Sequence, residues 1–304
     1  LCFGTHLSIP HTTTLFDSYA KQAKKIIVNI DKNQLNNLNV KFDLKINCDL
    51  ELFFKTLLKK KLNFNNEWRN LNQIKQLNWY EPISKKNINS NFAVRIITKK
   101  IKNKCIIVDG GGTALYAGFQ SSFVNQTDRV ICSSAISSMG TGLAETIGAA
   151  KSKKFEKLVC IIGDGSFLMN IQDLQTISQD KIKVLILLVN NNGYLAIRHT
   201  QKEFLKSKFY GTHPDWKLTM PSFEKVTKSF GLDYYKLKTK SDLQKNLKKI
   251  LNLKKPTVCE LIVDENQDSL FKQGYKSNND GTFSPQPLSE MYPFLDKYIA
   301  NTNN

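Results

Sequence analysis

The sequence predicts an α/β protein built on a doubly wound parallel sheet. Three observations carry this. Two apolar, β-branched runs, Leu158 to Ile162 and Val184 to Val189, each end in a turn motif: Gly163-Asp164-Gly165 and Asn190-Asn191-Asn192-Gly193-Tyr194. Such runs read as buried strands. The 24 residues between the motifs, 166–189, place Ile171, Leu174 and Ile177 at helical spacing. Helical and strand patterns then alternate down the chain, as a parallel sheet with crossover helices requires.

The elements follow in order. Residues 1–58 read as a partial α/β unit: a helix over 18–25, a strand from Ile26 to Asp31 and a helix from Leu50 to Leu58. Residues 59–84, polar and rich in Lys and Asn, read as a linker with one helix. Residues 85–265 read as the main domain. Within it, Ile106-Ile107-Val108 is a strand that ends in the turn Asp109-Gly110-Gly111-Gly112-Thr113. Ser222 caps a helix with Phe223, Val226 and Phe230 inward, and Gly231 stops it. Ser241 and Gln244 are expected to form a capping box before Leu243, Leu247, Ile250 and Leu251. Thr257 to Val263 is a final strand. Residues 266–304, with Pro285, Pro287 and Pro293, read as an irregular tail. No internal repeat is found.

Composition narrows the function classes. A chain of 304 residues, 41% of them hydrophobic, is globular and can bury one large or two ordinary domains. The net charge of +18 raises nucleic acid as a partner, but lysine supplies 40 of the 44 basic residues, scattered along the chain. Base readout and bidentate phosphate grip favour Arg, so nucleic acid is not expected. No apolar run reaches the length of a membrane span, so no membrane is expected either. The six cysteines form no Cys-x-x-Cys pair, and four lie in or beside apolar strands. This suggests free thiols in a reducing, cytoplasmic setting. The chain starts at Leu1 with neither Met nor a signal-like start, which leads us to expect an N-terminus upstream.

Parallel strands put both turn motifs at one sheet edge, where open α/β sheets bind ligands. The residue types suit a hard divalent cation on a diphosphate, since Mg²⁺ takes oxygen ligands and pairs a few protein groups with phosphate. Asp164 offers a carboxylate, Asn191 an amide oxygen and Gly193 a backbone carbonyl. Gly165 and Ser166 begin the next helix, so their N–H groups can meet phosphate oxygens. Either motif alone would read as an ordinary turn; the pair at this separation reads as a site.

Gly-Asp-Gly followed some two dozen residues later by Asn-Asn resembles the cofactor motif of thiamine diphosphate enzymes. The resemblance implies Mg²⁺ ligation by Asp164, Asn191 and the Gly193 carbonyl, with Gly163, Gly165 and Ser166 at the diphosphate. A second stretch, Ser133 to Ala150, is similar to the Met-Gly-x-Gly-Leu-Pro-Ala-Ala-Ile-Gly-Ala segment of acetolactate synthase-like members. There Met139 would wedge the cofactor into a bent shape and the Ser137 carbonyl would meet its aminopyrimidine. A Gly/Ala-rich helix start with Met139 as filler is the alternative. Ala144-Glu145 stands where Pro-Ala is usual. The Asp109–Thr113 turn matches a family segment near the diphosphate, with Thr113 as the contact. The resemblance thus implies a thiamine diphosphate-binding fold preceded by a partial central domain. FAD is not supported, because Gly4 to Leu7 lacks an arginine-rich pattern. The segment Pro287 to Leu295 resembles the C-terminal stretch of the same proteins.

The reaction implied is decarboxylation of a 2-keto acid and transfer of its acyl unit to an acceptor. The activating Glu of the family lies in an N-terminal pyrimidine domain, so no catalytic residue is expected within this chain, and the chain alone is expected to be inactive. A homodimer or homotetramer is implied. Ile197 stands where pyruvate decarboxylase-like members carry Glu, and Thr200 where acetolactate synthases carry an acceptor-selecting Trp. Arg198, His199, Thr200 and Gln201 are therefore candidates for meeting a polar acceptor; a solvated helix face is the alternative for Arg198 and His199. Two other functions stay open: a decarboxylase or lyase on a non-pyruvate 2-keto acid, and a non-catalytic cofactor-binding or scaffold subunit.

Overall fold

The computed structural model describes residues 1–60, 87–133, 136–267, 269 and 272–287. The expected linker helix and the segment from Leu288 onward lie outside these residues. The chain divides into two compact units, Leu1–Trp79 with Leu270–Asn304, and Tyr80–Ser269.

The first unit carries β1 (Cys2–Phe3), α1 (Ile9–Thr12), β2 (Ile26–Asn29), α2 (Lys32–Asn36), β3 (Leu44–Asn47) and α3 (Leu50–Leu57). The strands form a parallel sheet in the order β1-β2-β3. Asp31 caps α2 by accepting from the Asn33 and Gln34 N–H groups, and Asp49 caps α3 in the same way. The helix expected over 18–25 does not form. A single 3-10 turn at Phe16–Ser18 gives way to turns, and Ala20 takes a left-handed φ of 46°, which no α-helix accommodates. The tail is more ordered than expected: Tyr275–Ser277 pairs antiparallel with Phe283–Pro285 across a turn that the Asp280 side chain ties to Thr282.

The second unit begins with α4 (Ser90–Lys100) and β4 (Lys104–Val108). Then come α5 (Gly112–Ser121), β5 (Arg129–Ile131), α6 (Thr141–Lys151), β6 (Lys157–Gly163), α7 (Asp164–Met169), α8 (Asp173–Gln179) and β7 (Val184–Asn190). After them lie α9 (Leu195–Phe204), α10 (Phe223–Ser229), β8 (Asp233–Leu237), α11 (Lys240–Leu251) and β9 (Thr257–Ile262). Six parallel strands form one sheet, ordered β5-β4-β6-β7-β9-β8. Helices cover both faces, so β4, β6 and β7 are buried on both sides and need no polar alternation. Ile106, Val108, Val159, Ile161, Leu185 and Leu187 fill one face; Cys105, Ile107, Leu158, Cys160, Ile186 and Leu188 fill the other. The chain reverses its winding between β4 and β6. That puts the turns after β4, β6 and β7 side by side at the carboxyl edge, the crevice where such sheets bind ligands.

Local signals were mostly where the sequence placed them, with two shifts. The single helix expected between the motifs is two, α7 and α8, broken at Asn170. The box before α11 is built two residues earlier: the Asp242 N–H donates to Thr239 Oγ1 at 3.1 Å, and the Thr239 N–H donates to Asp242 Oδ2 at 2.9 Å. A carboxylate at that position also complements the helix dipole, which an amide at Gln244 would not. Ser222 and Gly231 bound α10 as expected: the Lys225 N–H donates to Ser222 Oγ at 3.3 Å, and Gly231 has φ of 77°.

At the opposite, amino edge, β4 starts on a buried ion pair. The Lys104 ammonium lies 2.5 Å from Asp128 Oδ2, with both side chains sealed from solvent. Lys104 Nζ also donates to the Ile101 carbonyl at 3.0 Å, while Asp128 accepts from the Lys104 and Asn125 N–H groups. Burial pushes the Asp128 carboxyl up, but the Lys104 ammonium and the two N–H groups outweigh it and hold the carboxyl below the usual range. Asp128→Asn leaves a buried ammonium without its counter-charge and should cost about 3–5 kcal/mol in a denaturant titration. Because the folded pKa is lowered, this contribution is present above the ordinary Asp value and is lost as pH falls through the folded value. Wild type should therefore lose stability on acidification below about pH 4 more steeply than the variant.

Candidate active site

Asp164 opens α7 directly after β6. Its carboxylate is 2% exposed and accepts three backbone N–H groups: Gly165 at 2.7 Å on Oδ1, and Asn191 at 3.0 Å and Gly193 at 2.9 Å on Oδ2. The register that sets Gly163 beside Val189 brings the two motifs together. Burial pushes the Asp164 carboxyl up to about 6, against the pull of the three N–H groups and the Arg198 charge. A buried carboxylate so destabilised as an anion gains from a cation beside it.

Asn191 supplies that opening. Its Nδ2 donates to Thr113 Oγ1 at 2.8 Å, and its Oδ1 is buried without a hydrogen-bond partner. Gly193 follows with φ of 124°. A Cβ there would stand 2.5 Å from Leu218 Cδ2 and 3.0 Å from the Thr212 carbonyl, so only glycine fits. A cavity of about 70 Å³ opens over these groups. Thr113, Met139, Asp164, Asn191, Tyr194 and Ile197 are among its walls, with Gly163, Gly165, Ser166 and Gly193 completing the cradle. At Gly165, an added Cβ would come within 2.2 Å of the Tyr194 ring, so bare backbone faces the cavity here.

Ser137 does not line this cavity. It takes a left-handed φ of 55° and, with Ser138, packs on Gly110, where an added Cβ would lie 2.4 Å from the Ser138 carbonyl. Met139 does line it, and its side chain lies over Gly111.

The residues suggested for an acceptor are divided. Arg198 is 4% exposed, and its guanidinium does not face the cavity as a free donor. It donates to four backbone carbonyls: Asn192 at 3.3 Å, Thr212 at 2.7 Å, Asn191 at 2.8 Å and Glu265 at 2.9 Å. Burial pulls the guanidinium down, and the charges of Asp164 and Glu265 oppose this. Gln201 is buried too, donating to the Tyr210 carbonyl and accepting from Thr212 Oγ1 at 2.5 Å. Both therefore brace the loop from behind, in place of the acceptor contact expected of them, and the solvated face considered for Arg198 does not apply. His199 is half-buried and Thr200 exposed; neither lines the cavity, whereas Leu195, Ala196 and Ile197 do.

Three carboxylates were given no role from the sequence. Glu260 on β9 is buried, accepting from Asn190 Nδ2 at 2.5 Å and from the Tyr234 hydroxyl, which is pushed up by burial and by that bond. Asp109 lies fully buried beneath the turn after β4. Glu145, on α6, has one buried oxygen without a hydrogen-bond partner; burial pushes its carboxyl up, and the Asp109 charge adds to the shift. An acidic residue at a strand end was the available signal for Asp109. Nothing in the local pattern distinguished Glu260 within its apolar strand.

Residues 96–261 match the family described as thiamine pyrophosphate enzyme, C-terminal TPP binding domain, and the chain belongs to that family. Among curated proteins it is similar to a probable acetolactate synthase large subunit of Methanococcus aeolicus: 28% identical over 289 residues, covering 86% of this chain and 47% of the relative. It is also similar to acetolactate synthase 2, chloroplastic, of Zea mays, at 26% over 283 residues, 89% of this chain and 44% of the relative. The chain spans about half the length of these relatives. Among solved structures, a thiamine diphosphate-dependent 4-hydroxybenzoylformate decarboxylase of Rhodococcus jostii RHA1 superposes with a TM-score of 0.64 at 18% identity. It covers 81% of this chain, and the match spans 45% of that chain; the likeness supports the shared fold.

The bracing role of Arg198 is testable. Lysine concentrates its donors on one nitrogen and cannot span four carbonyls. Arg198→Lys should lower stability by about 2–4 kcal/mol and speed amide exchange over residues 190–194. Unchanged stability with only a raised KM for a second substrate would contradict it.

Proposed function

We propose that this chain is the diphosphate-binding half of a thiamine diphosphate- and Mg²⁺-dependent carboligase of the acetolactate synthase type. The observation that carries the reading is the unpartnered, buried Asn191 Oδ1 beside the Asp164 carboxylate. With the Gly193 carbonyl these make an all-oxygen donor set, which suits Mg²⁺ rather than a thiophilic metal. Among the described residues no group of three or more His, Cys, Asp or Glu could hold a metal ion, so the cation would rely on this mixed set. The cavity of about 70 Å³ is well below the roughly 300–1,000 Å³ of a pocket for a whole organic ligand. It suits the diphosphate and its cation.

When bound, thiamine diphosphate supplies the electron sink that lets a 2-keto acid lose CO₂. The chain's own residues supply the diphosphate end of the site. Asp164, Asn191 and the Gly193 carbonyl would hold the cation; the Ser166 N–H would meet a phosphate, while the Gly165 N–H is taken by Asp164 Oδ1 instead of the phosphate contact expected of it; Met139 would press on the cofactor; and Thr113 keeps the Asn191 amide turned. Leu195, Ala196 and Ile197 form an apolar stretch of the wall that carries no titratable group. Ile197 lines the cavity at the position where pyruvate decarboxylase-like members carry Glu, and this supports the carboligase over the decarboxylase. The substrate class is a small 2-keto acid. The activating Glu would come from a pyrimidine domain, the assembly would be a homodimer or homotetramer in the cytoplasm, and the chain alone would be inactive.

Two measurements test this. In the full-length enzyme, Asp164→Ala with Asn191→Ala should weaken Mg²⁺-dependent thiamine diphosphate binding at least a hundredfold by calorimetry; unchanged affinity would refute the assignment. Supplied with pyruvate and a second keto acid, the wild type should release a condensed hydroxy-keto acid. Aldehyde as the sole product would return the decarboxylase reading.

A further inference from the structure

Asp109 is fully buried at the end of β4, below the cavity but not part of its wall. Its Oδ1 accepts the Gly142 N–H at 3.1 Å, from the first turn of α6. Its Oδ2 accepts the Gly111 N–H at 3.4 Å, from the turn that leads into α5. The Ser166 hydroxyl and the Gly140 N–H lie near the same carboxylate and pull it down, against its burial. These groups come from three separate segments, and each segment forms part of the cavity: Gly111 to Thr113, Met139, and Gly163 to Ser166.

The three segments press on one another around this point. A Cβ at Gly111 would lie 2.3 Å from Met139 Cγ. One at Gly140 would lie 2.9 Å from Met169 Cβ, and Asn170 Nδ2 donates to the Gly140 carbonyl at 2.8 Å. One at Gly142 would lie 3.3 Å from Asp109 Cβ. Gly111 and Gly140 thus leave the turns no side chains with which to hold their spacing. A carboxylate is the only side chain of this length whose two oxygens both accept and neither donates. It alone satisfies donors arriving from both sides.

We propose that Asp109 is a positioning residue that sets the separation of the Met139 wedge from the diphosphate cradle, by tying all three cavity turns to the end of β4. The proposal rests on the thiamine diphosphate reading of the site. It adds a residue that touches neither cofactor nor cation and acts through Gly111, Gly142 and Ser166. Asp109→Asn keeps size and shape but turns one acceptor into a donor, so one turn loses its partner and meets an NH₂ group instead.

The test compares full-length wild type, Asp109→Asn, Asp109→Glu and Asp128→Asn, the last destabilising the sheet from its far edge. Two readouts are taken: amide hydrogen exchange without ligand, and thiamine diphosphate affinity at saturating Mg²⁺. Asp109→Asn should speed exchange at least tenfold in residues 110–112, 140–142 and 165–166 together, and weaken the cofactor at least tenfold. Asp109→Glu, one methylene too long for the same donors, should not restore affinity. Asp128→Asn should leave both readouts at the site unchanged. Wild-type exchange at the three turns in Asp109→Asn, or a loss of affinity no larger than that of Asp128→Asn, would overturn the proposal. If wild type binds no thiamine diphosphate, the functional reading fails on its own, and the exchange pattern still decides whether Asp109 ties the turns.

Discussion

The Asp164 carboxylate accepts three backbone N–H groups from two turns and has almost no water around it. This arrangement needs β6 and β7 to be parallel neighbours in one register, so that Gly163 stands beside Val189. It also needs glycine at 193, where the chain takes a positive φ under Leu218. The parallel sheet exists because its apolar strands are buried on both faces. Removing the buried charge leaves three N–H groups without an acceptor, each costing about 1–3 kcal/mol. The carboxylate therefore holds the two turns together, even though burial disfavours its charge.

Much of this was legible in the sequence, for identifiable reasons. Glycine, Asp and Asn after a β-branched run are local signals, and a parallel crossover leaves few choices for where two such turns meet. Hence the Asp164 and Asn191 pairing could be read without knowing any distance. What escaped was set by tertiary contact. Arg198 looks like a polar residue on an amphipathic helix, yet its guanidinium reaches carbonyls as far along the chain as Glu265. No period in the sequence encodes that. Ala20 broke an expected helix through a backbone angle that composition does not reveal. The α11 cap moved because Thr239 and Asp242 compete with Ser241 and Gln244 for the same role, and the carboxylate accepts more strongly.

Glu260 and Asp109 show how deep the support runs. Glu260 holds Asn190, whose Oδ1 accepts the Asn192 N–H at 2.9 Å, so the first Asn of the pair secures the turn that the second presents. The Asn190 carbonyl accepts the Val263 N–H at 3.0 Å, tying the same turn to the end of β9. The Asn190–Gly193 turn thus has partners one layer behind it, in β9 and just past its end. Rigid support of this kind fixes geometry to within tenths of an ångström, which loops alone do not achieve.

The helix α9 carries two sets of residues with opposite obligations. Arg198 and Gln201 face inward and bind main-chain groups and the Thr212 hydroxyl behind the Asn190–Gly193 turn. Leu195, Ala196 and Ile197 form part of the cavity wall, and His199 and Thr200 lie outside that wall. A helix so divided separates inheritance from innovation. Substitution at Arg198 would cut main-chain bonds of the turn, whereas substitution at Ala196 or Ile197 would change the cavity wall. Proteins sharing this platform can thus drift in the compounds they accept without first rebuilding the part that makes them work.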